Sequence, residues 1–234
     1  MIEEILPPGA VAAESLGDAP LGTLAPGEGL LPEEEPLVAH AVPARRAEFT
    51  TVRVCARRAL SRLGRPPAPV TADGRGAPRW PAGVIGSLTH CTGYRAAALA
   101  LDSPRLRSLG VDAEPHRPLP DGILETIALP AERRALTALS RRHPAHSWDR
   151  VLFSAKESVF KAWYPLTGEQ LAFEEAELSL SPTDPRTGTF EARLLRPGPT
   201  VDGHPLTTFT GRWLLRKGLV LTAVAVNAEQ NAWQ

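Results

Sequence analysis

The sequence predicts an α+β fold of two halves related by a pseudo-twofold. Each half is a small, mainly antiparallel sheet packed with one long helix, and the functional site falls in the cleft between them. Three observations predict it. The chain has 234 residues, 43% of them hydrophobic and 22% charged, which suffices for one large domain or two half-size ones. Cys55-Ala56-Arg57-Arg58-Ala59-Leu60 echoes Ser154-Ala155-Lys156-Glu157-Ser158-Val159, each inside a long helical pattern. THCTGYRAAALAL (89–101) also aligns without gaps on LLRKGLVLTAVAV (214–226), an internal repeat that favours two related units. The division is placed after residue 109. Residues 1–109 hold an Arg-rich helix, a Pro/Gly-rich loop and a hairpin, and residues 110–234 hold a VDAE motif, a KESVFK helix and strands.

The elements follow in order. Residues 1–28 are rich in Pro, Gly and Ala, with one short strand around 10–14. Pro32 followed by Glu33, Glu34 and Glu35 marks a helix start, because acids are favoured in a first turn, and the pattern runs to Ala41. A second helix covers 44–63 and ends at Gly64, with Pro66 and Pro67 beyond it. Proline and glycine make 65–83 an extended loop. Residues 86–101 read as two strands around a turn at Thr92 and Gly93, and another strand precedes Asp112. Helices are predicted at 123–127, 130–139 and 148–163. Strands fill 171–226, broken by a Pro/Gly-rich stretch at 197–205.

Composition narrows the class. The N-terminus MIEEILPPG lacks the basic and apolar regions of a signal peptide. The longest apolar run, Leu219 to Val226, is too short to cross a bilayer. The two cysteines, Cys55 and Cys91, have neither metal-type nor CxxC spacing, so a cytoplasmic protein without disulfides is expected. Net charge is zero, yet residues 1–36 hold eight acids and no Lys or Arg, leaving +8 on the remainder. Seven arginines lie between 45 and 65, offset only by Glu48; such a field suits an anionic ligand or an acidic protein partner. Arginines outnumber lysines by 23 to 3, and two of the three, Lys156 and Lys161, fall within six residues. Each lysine thus marks a place where arginine does not serve.

The chemistry concentrates in two motifs. In GVDAEP (110–115), Asp112 and Glu114 leave a strand on the same face, about 7 Å apart along the backbone. Two carboxylates so placed repel each other and lose hydration. In LFSAKESVFKAW (152–163), Leu152, Val159 and Trp163 form an apolar stripe, while Glu157 and Lys161, four apart, lie together on one face. Alone, the second pair is a surface ion pair contributing about 0.2–0.5 kcal/mol. Together, and in this order behind RWPAGVIGSLTHC and RRAEFTTVRVCARRAL, the motifs resemble the 4′-phosphopantetheinyl transferases, in particular the long, single-chain surfactin-synthetase and enterobactin class. The resemblance covers about residues 30–226.

That resemblance implies the family fold of two pseudo-twofold halves and a Mg²⁺-dependent phosphoryl transfer. A carrier-protein serine attacks the β-phosphate of coenzyme A, 3′,5′-ADP leaves, and phosphopantetheine stays on the serine. It places the metal on Asp112, Glu114 and Glu157, with Mg²⁺ as a hard cation for oxygen ligands. It puts Arg45 and Arg53 on the phosphates of coenzyme A, including the 3′-phosphate, and Gly74 and Arg75 along the adenine nucleotide. Thr89 and His90 match a Ser-His pair that touches phosphate in relatives, and Lys156 and Lys161 hold the pyrophosphate. Glu157 is the candidate base, directly or through water, and Lys161 stabilises or protonates the leaving group. The expected partners are coenzyme A and acidic apo acyl or peptidyl carrier proteins, with no nucleic acid, no membrane and a monomeric state. Two other functions share parts of the pattern: another metal-dependent enzyme acting on a coenzyme A or nucleotide substrate, and a non-catalytic binding module using the Arg-rich helix. Against the module, aromatic residues are only 6% of the chain, and no stacking signature accompanies the arginines.

Overall fold

A computed structural model describes residues 1–18 and 29–227. Of the expected Pro/Gly/Ala-rich N-terminal run, 1–28, residues 19–28 lie outside the described residues. The first half comprises β1 (Val11–Ser15), α1 (Pro43–Arg62), β2 (Thr71–Ala72), β3 (Pro78–Arg79), β4 (Val84–Cys91) and β5 (Tyr94–Leu101). The second comprises β6 (Ser108–Pro115), α2 (Ile123–Ile127), α3 (Pro130–Arg142), α4 (Trp148–Thr167), β7 (Ala176–Pro182), β8 (Thr187–Leu194), β9 (Thr200–Val201), β10 (His204–Pro205), β11 (Thr208–Arg216) and β12 (Leu219–Val226). The main sheets are antiparallel, ordered β1-β5-β4 and β6-β12-β11-β8-β7. The chain is thus α+β, with a 20-residue helix in each half. Among the described residues no helix is long and apolar enough to cross a membrane.

The alanine run of β5 shows how the first half closes. Strand side chains alternate, so Ala97 and Leu99 meet Cys55, Ala56, Ala59 and Leu60 of α1. Tyr94, Ala96, Ala98 and Ala100 face the other way. There they pack with Ile2 and Ile5 and with Val111, Leu214 and Leu221 of the second half, so one apolar cluster spans both halves. The exposed edges of β4 and β6 meet at the same seam. The hydroxyl of Ser87 accepts the N–H of Val111 at 3.0 Å, and that of Thr89 accepts the N–H of Ala113 at 2.9 Å. Side chains of β4 thereby satisfy backbone donors on the free edge of β6.

On the other side of β6 the long helix sits close. A Cβ added at Gly110 would lie 2.0 Å from the Ser158 carbonyl oxygen and 2.7 Å from the Ala162 nitrogen. Helix α4 therefore rests on bare strand backbone, and its register against β6 is set by that contact. Val151, Leu152, Ala155, Val159, Ala162 and Trp163 are buried along it.

The structure departs from the expected elements in four places. The helix expected over 32–41 is a single 3₁₀ turn, Glu35–Val38, because Glu34 is drawn fully inside to accept from Arg57 and from the Val70 N–H. The loop 65–83 contains the two-residue hairpin of β2 and β3. Helix α4 passes Pro165 and stops at Gly168, whose φ of 69° suits glycine; a proline in the last turn costs one hydrogen bond, not the helix. The division after residue 109 cuts through β6, which pairs along its whole length with β12.

Candidate active site

Helix α4 presents Arg150, Ser154, Glu157 and Lys161 at spacings of four, three and four, a single stripe on a 3.6-residue helix. The Gly110 contact sets that stripe against the acids of β6. Lys161 Nζ donates to Asp112 Oδ1 at 2.7 Å and to the Val111 carbonyl at 3.2 Å. Ser154 Oγ donates to Asp112 Oδ2 at 2.8 Å, and Ser154 is itself held by Thr222, the cross-strand partner of Asp112. Arg150 donates to Glu114 at 2.8 Å and to the carbonyls of Arg117 and Pro118. Arg150 and Ser154 were not singled out in the sequence. The signal that finds them is the Glu157/Lys161 pair continued back by three and then four residues.

Electrostatics follow from this packing. Burial pushes the Glu157 carboxyl above its ordinary value, and the charges of Asp112 and Glu114 add to the rise, opposed by Lys161. Glu114 is raised by burial and then by Asp112, with Arg150 opposing. Among the described residues no hydrogen bond is made to the Glu157 carboxylate, and Glu157 lines the adjoining cleft.

Across from this stripe stands a cleft of about 660 Å³. It is lined by Arg45 and Arg53 of α1, Arg75 and Gly76 of the β2–β3 loop, Thr89 and His90 of β4, and Glu157, Phe160, Lys161 and Tyr164 of α4. Arg53 is buried, donates to the Val70 carbonyl at 3.2 Å and lies 3.5 Å over the Phe49 ring. Burial lowers it to about 10, with Arg45 and Arg57 adding to the fall and Glu34 opposing it, so it stays a cation at neutral pH. His90 places Nδ1 3.3 Å from Glu48 and Nε2 3.2 Å from Arg45. Its pKa is lowered by burial first, then by Arg45, Lys161 and Arg95, against Glu48.

Several expected site residues are placed otherwise. Lys156 points away from this cleft. It donates to the carbonyls of Phe173 and Ala176 and pairs with Glu132 at 3.0 Å, where both side chains are almost fully buried. Successive helical positions diverge by about 100°, so Lys156 cannot share a face with Glu157, and its assignment to the pyrophosphate is corrected to a tie between α4 and α3. The Thr89 hydroxyl accepts from the Ala113 N–H and sits 3.4 Å from Asp112; it joins the halves, while His90 lines the cleft beside it. Gly74 is exposed at the loop tip, while its neighbours Arg75 and Gly76 line the cleft.

Magnesium fits the chemistry of the donors. They are hard oxygens only, and Glu114 and Glu157 are raised first by burial and then by the neighbouring carboxylate charge, a charge that a dication would offset. The three acids expected as ligands do not converge into a ready-made metal group among the described residues. Asp112 is held by Lys161 and Ser154, and Glu114 by Arg150, so the expected three-carboxylate set is not assembled in this arrangement.

Comparison with known proteins matches residues 33–100 to the 4′-phosphopantetheinyl transferase N-terminal domain and residues 108–208 to the 4′-phosphopantetheinyl transferase superfamily. The chain is 57% identical over 228 residues to the 4′-phosphopantetheinyl transferase Svp of Streptomyces mobaraensis, covering 97% of this chain and 90% of that protein. It is 49% identical over 229 residues to PptT of Mycobacterium tuberculosis, covering 97% and 98%. Enterobactin synthase component D of Salmonella typhi is 33% identical over 119 residues, about half of each chain.

Proposed function

The chain belongs to the 4′-phosphopantetheinyl transferase superfamily, and on that premise we propose how its cleft performs the transfer. The enzyme moves 4′-phosphopantetheine from coenzyme A to a serine of an apo carrier protein. The serine oxygen bonds to the β-phosphorus, the bond from that phosphorus to the bridging oxygen breaks, and 3′,5′-ADP departs. The reaction needs alignment, charge neutralisation and a proton acceptor.

The observation that carries this reading is the meeting of three cationic side chains, Arg45, Arg53 and Lys161, and one uncommitted acid, Glu157, across a single cleft. Arg45, Arg53 and His90 line its first-half wall, and Glu157 and Lys161 line its α4 wall. The forked guanidinium groups of Arg45 and Arg53 suit phosphate oxygens, and Arg53 is already oriented by Val70 and Phe49. Glu157 takes the serine proton, directly or through water; its raised carboxyl is a better match to neutral pH than an ordinary one. Lys161, held between Asp112 and the Val111 carbonyl, offers a compact positive charge to the leaving phosphate. Asp112 and Glu114 would hold Mg²⁺, with Glu157 beside them. When bound, the ion would neutralise pyrophosphate charge. The excess of basic residues beyond position 36 suits carriers that are acidic around their serine.

Incubating the enzyme with an apo carrier, coenzyme A and Mg²⁺ and weighing the carrier tests the proposal. The carrier should gain the mass of phosphopantetheine, and the gain should disappear with chelator and in Glu157→Gln. Transfer at wild-type rate by Glu157→Gln would remove Glu157 from the mechanism.

A further inference from the structure

The β2–β3 loop is built around one carboxylate. Asp73 Oδ1 accepts the N–H of Arg75 at 2.8 Å and of Ala77 at 2.9 Å. The Asp73 N–H donates to the Ala77 carbonyl at 2.9 Å, closing the turn from the other side. This leaves Oδ2 free of the loop, and it accepts from the Tyr164 hydroxyl of α4 at 2.8 Å. Arg75 makes a second crossing, donating to the carbonyl of Gly168 just past the helix at 3.2 Å. Both sides of this crossing, Arg75, Gly76 and Ala77 on one and Phe160 and Tyr164 on the other, line the cleft.

We propose that Tyr164 and Asp73 form a clasp that holds the 73–77 loop across the mouth of the cleft and positions the nucleotide end of coenzyme A. The inference rests on the transferase assignment. Tyr164 lies seven residues after Glu157 and three after Lys161 on one rigid helix. Tying the loop to Tyr164 therefore fixes the loop at a set distance from the groups that act on the pyrophosphate. Asp73 stays ionised, since the backbone donor of Arg75 and then the Tyr164 hydroxyl hold its carboxyl below the usual range. Tyr164 is a positioning residue: it acts through the loop, and it changes how tightly the nucleotide is gripped without touching the reacting phosphorus.

Tyr164→Phe deletes the clasp and little else. Calorimetry with 3′,5′-ADP, and separately with coenzyme A, should show Kd raised about five- to tenfold for both, as expected for one lost hydrogen bond to a carboxylate at a half-exposed site. Single-turnover transfer at saturating coenzyme A should stay within about twofold of wild type, because the loss is in ground-state grip. Asp73→Asn should weaken binding in the wild-type background and add little to Tyr164→Phe, since the two share one interaction. Unchanged 3′,5′-ADP affinity in Tyr164→Phe, or full additivity of the two substitutions, overturns the clasp while wild-type transfer stands. A wild type that binds neither ligand and modifies no carrier overturns the transferase assignment and the clasp with it.

Discussion

Gly110 is where one added methyl group should do most damage. Its ideal Cβ position is 2.0 Å from the Ser158 oxygen, about 1.4 Å short of the 3.4 Å at which ordinary contact begins. The second obstacle is the Ala162 nitrogen at 2.7 Å. Both are helix backbone, so no side chain can swing aside, and β6 and α4 must separate. Overpacking of this kind costs about 1–3 kcal/mol and at times more. Taking roughly 3 kcal/mol and allowing about 0.5–1 kcal/mol in return for replacing a strand glycine leaves a net loss near 2–2.5 kcal/mol. For a chain of this size that lowers Tm by about 4–10 °C, without unfolding a domain of ordinary stability. The displacement also lifts Lys161 from Asp112, and a misplacement near 1 Å can cost about 10²-fold in kcat/KM. Differential scanning calorimetry and carrier-transfer kinetics of Gly110→Ala measure the two effects. Gly74→Ala is the stability control, since nothing lies within 4 Å of its Cβ position and its φ is not positive. A Gly110→Ala enzyme with wild-type Tm and wild-type kcat/KM would refute the claim that this contact sets the site.

Lys161→Arg keeps the charge but should lose about tenfold or more in kcat, because a guanidinium is broader than an ammonium and essentially never gives up a proton; wild-type single-turnover rates would show that charge alone suffices. Arg53→Ala should mainly raise KM for coenzyme A, and the wild-type preference over dephospho-coenzyme A should narrow if Arg53 holds the 3′-phosphate; an unaltered preference removes it from that group. In chelator, Glu157→Gln should raise Tm at neutral pH. A carboxyl raised in the folded state contributes stability below its ordinary range and loses it as pH rises through the raised value, so the gain should shrink toward acidic pH; a gain independent of pH would contradict it. Lys156→Ala should cost about 3 kcal/mol in urea unfolding by leaving Glu132 buried and unpaired, while KM for coenzyme A stays put; a KM rise without destabilisation would return Lys156 to the pyrophosphate.

Much of this was legible from local pattern. The 3.6-residue stripe of α4, the hairpin echo between 89–101 and 214–226, and the strand ending in VDAEP all depend on neighbours close in sequence, and they formed where periodicity put them. The excess of arginine over lysine singled out Lys161, and the structure places it on the cleft wall, bonded to Asp112. The same argument failed at Lys156, because rarity says that a lysine is needed without saying which face it occupies. The expected helix at 32–41 failed for a comparable reason: Glu34 is bound by Arg57 and Val70, 23 and 36 residues away, and nothing local announces them.

The sequence by itself determined the two long helices, the strands that flank the site, the acidic pair and the family. Only the tertiary structure decided that Arg150 and Ser154 share the acids of β6, that Thr89 bonds a strand of the other half, and that Tyr164 reaches Asp73 across 91 residues. The physical reason is the range of the forces. Backbone periodicity and capping act within a turn or a strand. The partners of a buried charge or hydroxyl are chosen when two surfaces close, here by a glycine that lets α4 lie against β6.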